Sequence, residues 1–211
     1  MTQFQSRARL LIGLSAALFL LTAAPALAHH PFGGEAPKTI VEGLVSGVGH
    51  PVLGLDHLAF VIAVGLLSAV VKRGWTVLSA FLLTALMGTG IHLGGADLPA
   101  PELVISASVL LFGYLAATRK SLNAPAVVAL TGLVGMFHGY AYGEAVVGAE
   151  PTPLVAYLIG FTAVQSAIAL AAYLISRRAI SSDRTVGLIS VQKAGFAVCG
   201  AGAMLLGSFI V

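Results

Sequence analysis

Charged side chains are scarce in this chain: only 9% of its 211 residues are Asp, Glu, Lys or Arg, whereas 58% are hydrophobic. A water-soluble domain carries roughly 25% charged residues, so this composition excludes a soluble protein with a wetted surface. The sequence therefore predicts an integral membrane protein of the all-α class, a polytopic bundle of helices. The net charge of +3 fits the basic cytoplasmic loops of such proteins, and we expect no binding to nucleic acid.

Cysteine is nearly absent, since Cys199 is the only one. A single thiol excludes a disulfide framework and a Cys-x-x-Cys metal or redox site within the chain. The sequence also contains no Gly-x-x-x-x-Gly-Lys-Ser/Thr loop, no His-Glu-x-x-His and no Gly-x-Ser-x-Gly. These absences speak against nucleotide hydrolysis through that loop and against a membrane metalloenzyme, so we predict that the protein is not an enzyme. Any metal ion must be held by nitrogen and oxygen ligands.

The first 28 residues have the pattern of a secretory signal peptide. Two arginines precede an apolar run at residues 10–24, and the small-residue site Ala26-Leu27-Ala28 follows. Cleavage there would start the mature chain at His29, and residues 29–211 would form a single transmembrane domain. An uncleaved anchor is the alternative, and it would leave the later topology unchanged.

Six further apolar segments each approach the roughly 20 residues that a helix needs to cross a bilayer. We predict spans at residues 44–71, 75–93, 102–118, 124–148, 154–176 and 187–210. Alternate loops carry or adjoin the basic residues Lys72, Arg73, Arg119, Lys120, Arg177, Arg178, Arg184 and Lys193. The positive-inside rule assigns these loops to the cytoplasm, so the mature N-terminus and the C-terminus are expected in the periplasm, with the spans in a bacterial inner membrane.

With this orientation, all six histidines lie in the outer half of the membrane or outside it, together with every carboxylate except Asp183. Such a surface attracts cations from the periplasm. The two halves of the six spans could also form an inverted repeat. In support, His50 to Asp56 and His138 to Glu144 share a spacing of six residues.

A first polar cluster, at the start of the first span, contains His50, Asp56 and His57. On a continuous helix the two histidines would share a face about 10 Å apart, too far for both to bind one ion directly. Pro51 at a first helical turn, together with Gly54, would let His50 fold inward; otherwise the histidines are successive stations on a path. Asp56 could bind the ion or orient an imidazole.

A second cluster surrounds His138 in the fourth span. Gly135, Gly139 and Gly143 recur every four residues and form a strip on which another helix can pack closely, which would bring His138 to the first cluster. An ionisable side chain inside a bilayer marks an ion path or a cofactor site. Imidazole beside carboxylate points to a divalent transition metal, so His50, Asp56, His57 and His138 are predicted as its ligands.

Further polar residues accompany these clusters. Additional candidate metal ligands are Glu144, His92 at the end of the second span, and the pair His29-His30 at the expected mature N-terminus. Tyr142 lies one turn after His138 and could either bond within the site or lie at the membrane interface. Thr162 and Gln165 could line a path through the fifth span, although hydrogen bonds between helices explain them equally well.

These motifs resemble those of the HupE/UreJ family, bacterial membrane proteins that are associated with hydrogenase and urease gene clusters and regarded as nickel or cobalt permeases. The first motif matches well: His50, five residues, then Asp56-His57. The second follows the family pattern Phe-His-Gly-x-Ala-x-Gly-x-Glu from Phe137 to Gly143, but Glu144 comes one position early. Because this rotates the carboxylate by about 100° on a helix, the resemblance supports the histidine of the motif as a ligand but not the glutamate.

The resemblance implies a permease that imports nickel or cobalt ions from the periplasm through ligands in the first and fourth spans. The ion would be cargo rather than a permanently bound cofactor, and hydrogenase or urease maturation proteins would be candidate partners. Protons compete for neutral imidazole, so acid should weaken uptake. The residues themselves leave two alternatives open: a membrane haem protein with histidine axial ligands, and a metal sensor or donor that does not transport.

Overall fold

The computed structural model describes residues 35–118 and 123–209 of the protein. Within these ranges the chain is helical without a strand, which confirms the predicted all-α bundle. The expected signal peptide at residues 1–28 lies outside the described residues, as do His29 and His30. The described helices are α1 (Ile40–Leu53), α2 (Leu55–Val70), α3 (Trp75–Leu93), α4 (Pro101–Thr118), α5 (Ala124–Glu144), α6 (Pro151–Ser182) and α7 (Arg184–Gly207).

Helices α3 to α7 are each long and apolar enough to cross a bilayer. Helices α1 and α2 meet this test only as a pair, and they are bent by 75° at the residue between them, Gly54. If the bent pair counts as one span, the described residues contain six spans, in agreement with the hydropathy. The protein is therefore a polytopic membrane bundle whose first span is broken rather than continuous.

The break follows from the residues around Gly54. Pro51 lies in the last turn of α1, not at the start of a helix, and its nitrogen cannot donate a hydrogen bond to the preceding turn. Gly54 has φ −72° and ψ 100°, an extended conformation that ends α1 and precedes α2. A β-carbon at Gly54 would lie 2.8 Å from Cδ2 of His57 and 3.1 Å from Oδ1 of Asp56. Glycine thus leaves room for these two side chains at the break.

Glycines bring the helices together in three close pairs. The crossings are α1 with α6 at Gly47 and Gly160, α3 with α5 at Gly88 and Gly139, and α4 with α7 at Gly113 and Gly202. A β-carbon at any of these glycines would lie 2.6 Å or less from a backbone atom of the partner helix. Small residues allow such close approach in membranes. The predicted glycine strip of α5 is therefore a packing surface, and the helix that packs on it is α3.

The helix pairs also bear on the proposed repeat. Counted as spans, the first packs with the fifth, the second with the fourth, and the third with the sixth. Exchanging the first three spans with the last three leaves this set of pairs unchanged, as an inverted repeat requires. The two histidine motifs nevertheless differ in structure, because the first lies at the helix break and the second lies in the unbroken helix α5.

The two ends of the bundle differ in charge. The cavity end is where α1, α4 and α6 begin and where α3 and α5 end. The opposite end, called the arginine end, carries Lys72, Arg73, Arg177, Arg178 and Arg184. There α6 continues to Ser182, past the predicted limit of the span at residue 176. Asp183 alone separates it from α7 and accepts the backbone N–H of Val186 (2.9 Å).

The packing of α3 on α5 predicts different effects for two glycines of α3. In Gly88→Ala the new β-carbon would lie 1.9 Å from the carbonyl oxygen of Met136, so the helices must separate. We expect a loss of about 3 kcal/mol, the upper end of what overpacking costs. Gly90 is exposed with nothing within 4 Å, so Gly90→Ala should leave stability unchanged or slightly raised. Thermal unfolding in detergent measures both, and equal Tm values would contradict this packing.

Candidate metal-binding site

His50 and His57 lie against each other at the break between α1 and α2. Their ring centroids are 5.3 Å apart. A continuous helix would separate these residues by about 10 Å, and the 75° bend removes that separation. Both histidines are buried, with exposures of 6% and 3%. Asp56 is half-buried, and its Oδ1 accepts the backbone N–H of His57 (2.7 Å). The break thus gathers the first predicted cluster in one place.

A chain of hydrogen bonds sets the orientation of His57. The hydroxyl of Ser108 in α4 donates to the carbonyl of Ile105 (2.7 Å), so its oxygen accepts from Nε2–H of His138 (2.9 Å). Neutral His138 then has its lone pair on Nδ1, which accepts from Nδ1–H of His57 (2.9 Å). The lone pair of neutral His57 is therefore on Nε2.

The same reasoning applies to His50. The hydroxyl of Tyr157 in α6 donates to the backbone carbonyl of Tyr142 (2.8 Å), and its oxygen then accepts Nδ1–H of His50 (3.0 Å). The lone pair of neutral His50 is consequently on Nε2 as well. The ring of Tyr142 packs against both histidines, at centroid distances of 5.1 Å from His50 and 4.4 Å from His57. Two adjacent imidazoles thus carry lone pairs on Nε2, a nitrogen by which histidine binds metal ions.

A cavity of about 420 Å³ lies beside these residues at the cavity end of the bundle. Its lining includes His50, Asp56 and His57 and, nearer the surface, His92, Asp97, Glu102 and Glu144. The last three carboxylates belong to exposed residues, so the cavity is continuous with the surface. Carboxylates that converge on one cleft attract cations.

The structure brings five of the predicted ligands to this cavity: His50, Asp56, His57, His92 and Glu144. The ring of His92 packs on that of Tyr140 at a centroid distance of 4.4 Å, and the Tyr140 hydroxyl donates to Asp97 (3.2 Å). Glu144 ends α5 as an exposed residue at the rim.

His138 does not line the cavity. It is fully buried behind His57 and stacks on Phe60, with ring centroids 3.9 Å apart. The expected approach of His138 to the first cluster is therefore observed, but the contact is with an imidazole rather than with the cavity. Tyr142 is fully buried and so does not lie at the membrane interface, and its hydroxyl bonds no group in the described ranges.

No group of three or more His, Cys, Asp or Glu side chains in residues 35–118 and 123–209 is arranged so that it could hold a metal ion. An ion in the cavity would therefore keep water ligands beside the side chains that it contacts. The cavity has room for them, because six waters at roughly 30 Å³ each occupy about 180 Å³.

Two residues that shape the site, Ser108 and Tyr157, were not predicted from the sequence. A serine in a membrane helix commonly bonds a carbonyl of its own preceding turn, as Ser108 does, and this bond gives no sign of a second partner. A tyrosine near the end of an apolar segment is typical of the membrane interface, yet Tyr157 is fully buried.

Comparison with known proteins agrees with the sequence motifs. The family model described as "HupE / UreJ protein" matches residues 17–205. Protein HupE of Rhizobium leguminosarum bv. viciae is 30% identical over 189 residues, which cover 87% of this chain and 92% of that protein. No solved structure matches the chain at a significant level.

The HupE/UreJ proteins are transport and accessory proteins of membranes, not enzymes, and they are associated with nickel or cobalt uptake for hydrogenase and urease. The apolar helices agree with a membrane location. Because the match to the family extends over most of its length, the chain belongs to the HupE/UreJ family of membrane proteins.

Proposed function

We propose that the protein is a permease that imports a divalent transition-metal ion, nickel or cobalt, from the periplasm into the cytoplasm. The observation that carries this proposal is the cavity at which Asp56 and two imidazoles, each with its lone pair on Nε2, meet at a broken membrane helix. Imidazole suits nickel and cobalt, whereas magnesium and calcium favour oxygen ligands alone. Broken helices that hold an ion at the break recur in membrane transporters.

The direction of transport rests on the charge of the two ends. Of the described lysines and arginines, Lys38 alone lies at the cavity end, where it pairs with Glu35. The positive-inside rule assigns the arginine end to the cytoplasm, so the cavity and both termini of the mature chain face the periplasm. An inside-negative potential then favours inward movement of a doubly charged ion by roughly 4 to 5 kcal/mol per 100 mV.

Capture of the ion begins at the rim of the cavity. Exposed Glu144 and half-buried His92 attract the hydrated ion, and the deeper residues exchange part of its water shell. Nε2 of His50 and Nε2 of His57 supply lone pairs, and Asp56 supplies negative charge. Water completes the coordination, which keeps the binding weak enough for the ion to leave.

We assign His138 a positioning role instead of direct ligation. Both of its ring nitrogens form hydrogen bonds, one with Ser108 and one with His57. By accepting Nδ1–H of His57, it holds that imidazole in the tautomer whose Nε2 can bind an ion. Hydrogen-bond partners of this kind orient a metal-binding imidazole and raise its basicity.

The imported ion supplies a metalloenzyme in this proposal. The family is associated with nickel or cobalt uptake for hydrogenase and urease. The maturation proteins of one of these enzymes are therefore the proposed receivers of the ion in the cytoplasm. The ion is cargo throughout, and the chain needs no resident cofactor.

Uptake of radiolabelled nickel tests the proposal, at trace concentration in cells that lack their own nickel importers. Wild-type protein should accumulate nickel. His50→Ala and His57→Ala should reduce accumulation to the level of cells without the protein, because each removes an imidazole from the cavity. Ser68→Ala is the control: Ser68 is a buried serine of α2 that bonds the carbonyl of Val64, away from the cavity, and the variant should transport normally. Competition by unlabelled cobalt measures the selectivity.

Three results would overturn parts of this proposal. Wild-type protein that inserts into the membrane but imports neither metal would favour a sensor or donor that binds without transport. A haem absorption spectrum from the purified protein would establish the electron-transfer alternative. Normal uptake by both histidine variants would refute the site while leaving transport itself intact.

Loss of the Ser108 hydroxyl should weaken nickel binding without removing a ligand. Ser108→Ala removes the acceptor of Nε2–H in His138, so the tautomer of His138 is no longer fixed and His138 orients His57 less firmly. We expect the affinity to fall about 10- to 100-fold, as is typical when the hydrogen-bond partner of a metal ligand is lost. Ser68→Ala makes the same change at a serine with an equivalent backbone bond and should not alter affinity. Equilibrium dialysis of purified protein with nickel measures both.

X-ray absorption at the nickel edge separates positioning from ligation by His138. The number of bound imidazoles should be the same in wild type and Ser108→Ala, and one fewer in His57→Ala. Three imidazoles per nickel in His92→Ala, a variant that keeps His50 and His57 at the cavity, would contradict the positioning role of His138.

A further inference from the structure

Four buried polar atoms on three side chains near the histidine pair have no hydrogen-bond partner in the described part of the chain. The atoms are the amide oxygen and nitrogen of Gln165, Oγ1 of Thr162 and the hydroxyl of Tyr142. Gln165 and Tyr142 are fully buried. An unsatisfied buried polar group costs about 1 to 3 kcal/mol, so a cluster of four such atoms needs a physical explanation.

Several other buried hydroxyls in the membrane helices do have partners. Ser68 donates to the carbonyl of Val64 (2.7 Å) and Thr131 to that of Val127 (2.7 Å). Thr89 donates across the α3–α5 contact to the carbonyl of Gly139 (2.8 Å). Hydrogen bonding between helices, which the sequence offers as one explanation of Thr162 and Gln165, therefore accounts for Thr89 but not for these two side chains.

Gln165 lies deeper in the membrane than the histidines. Helices α2 and α6 both run from the cavity end towards the arginine end, and they touch where a β-carbon on Gly65 would meet the backbone of Ala169. From this contact His57 is eight residues, about 12 Å, towards the cavity end, and Gln165 is four residues, about 6 Å. Gln165 is therefore about 6 Å further along the route to the arginine end.

Tyr142 and Thr162 lie between the level of His57 and the level of Gln165. The ring of Tyr142 contacts that of His57 at 4.4 Å and that of Phe161 at 5.2 Å, and Thr162 follows Phe161 directly. Thr162 and Gln165 are three residues apart on α6, so their side chains are neighbours on one face. The unpartnered atoms of Thr162 and Gln165 thus continue inward along α6, and the ring of Tyr142, on α5, contacts both His57 and Phe161.

We propose that Gln165, Thr162 and the hydroxyl of Tyr142 form an inner station that receives the partly dehydrated divalent cation after the histidine pair. This inference rests on the proposed permease function and adds a second binding position to it. The amide oxygen of Gln165 and the two hydroxyl oxygens accept hydrogen bonds from the water shell of the ion or contact the ion directly. Neutral oxygens bind nickel or cobalt more weakly than imidazole does, so the ion moves from a capturing site to a releasing one.

Replacement of Gln165 tests the inner station, because it should reduce nickel uptake without changing nickel affinity. In Gln165→Leu, radiolabelled nickel uptake should fall about 10-fold or more because the ion meets an apolar step beyond the histidines. Nickel affinity of the purified protein should stay within about 2-fold of wild type, since the ligands at the cavity are intact. The Tm should be unchanged or higher, because leucine removes an unpaired buried amide. Gln165→Met is the second apolar variant if leucine packs poorly.

Two matched controls accompany these variants. Gln192→Leu makes the same chemical change in α7 and should transport normally. Thr162→Val should reduce uptake, whereas Thr131→Val, at a buried threonine that bonds its own helix, should not. Normal uptake by Gln165→Leu and Gln165→Met would overturn the inner station. An equal loss of uptake and of nickel affinity would also overturn it, since Gln165 would then act through the histidine site.

A second readout does not depend on transport. Radiolytic hydroxyl-radical labelling marks aromatic side chains beside buried water, so Tyr142 and Phe161 should be labelled in the purified wild-type protein and labelled less in Gln165→Leu. Wild-type protein that imports no metal would refute the permease, and the labelling would still show whether the station holds water. Absence of label on both residues in the wild type would refute the station itself.

Discussion

The break of the first membrane span at Gly54 is the feature on which the rest of the site depends. Backbone groups freed by a break have no water to bond in the hydrocarbon layer, so a break persists only where protein or a water-filled cavity surrounds it. Here α6 packs closely on α1 through Gly47 and Gly160, and the cavity lies alongside. The bend places His50 against His57, a contact that residues seven apart on a continuous helix cannot make.

Hydroxyl groups on neighbouring helices then determine which nitrogen of each buried imidazole carries the proton. Ser108 and Tyr157 each donate their single proton to a backbone carbonyl, so each oxygen can only accept from histidine. In a low-dielectric interior an unpaired polar group is costly, and the direction of one hydrogen bond therefore constrains the next. The result is a polar site built largely from neutral groups, with negative charge supplied by Asp56 and by the carboxylates at the rim.

Hydropathy predicts the six spans because the length and apolarity that insertion requires are properties of each segment by itself. The approach of His138 to the first cluster was predicted from the glycine strip, but the strip packs on α3, whereas the imidazole that His138 contacts belongs to α2. The break of the first span could not be predicted from the sequence, because Pro51 and Gly54 permit a bend without requiring one. The roles of Ser108 and Tyr157 were hidden for a different reason: their histidine partners are 30 and 107 positions away, and no local pattern specifies such contacts.

The glycine contacts group the helices of the membrane domain into three closely packed sets, here called bodies: α1 and α2 with α6, α3 with α5, and α4 with α7. Within a body, glycines let the backbones of neighbouring helices approach closely. Packed helices can slide against one another by small shear movements in which side chains repack. The imidazole chain crosses all three bodies, with His57 on the first, His138 on the second and Ser108 on the third. A shift of any body against another therefore breaks or restores this chain, so the strength with which the site holds an ion is mechanically coupled to how the three bodies are aligned.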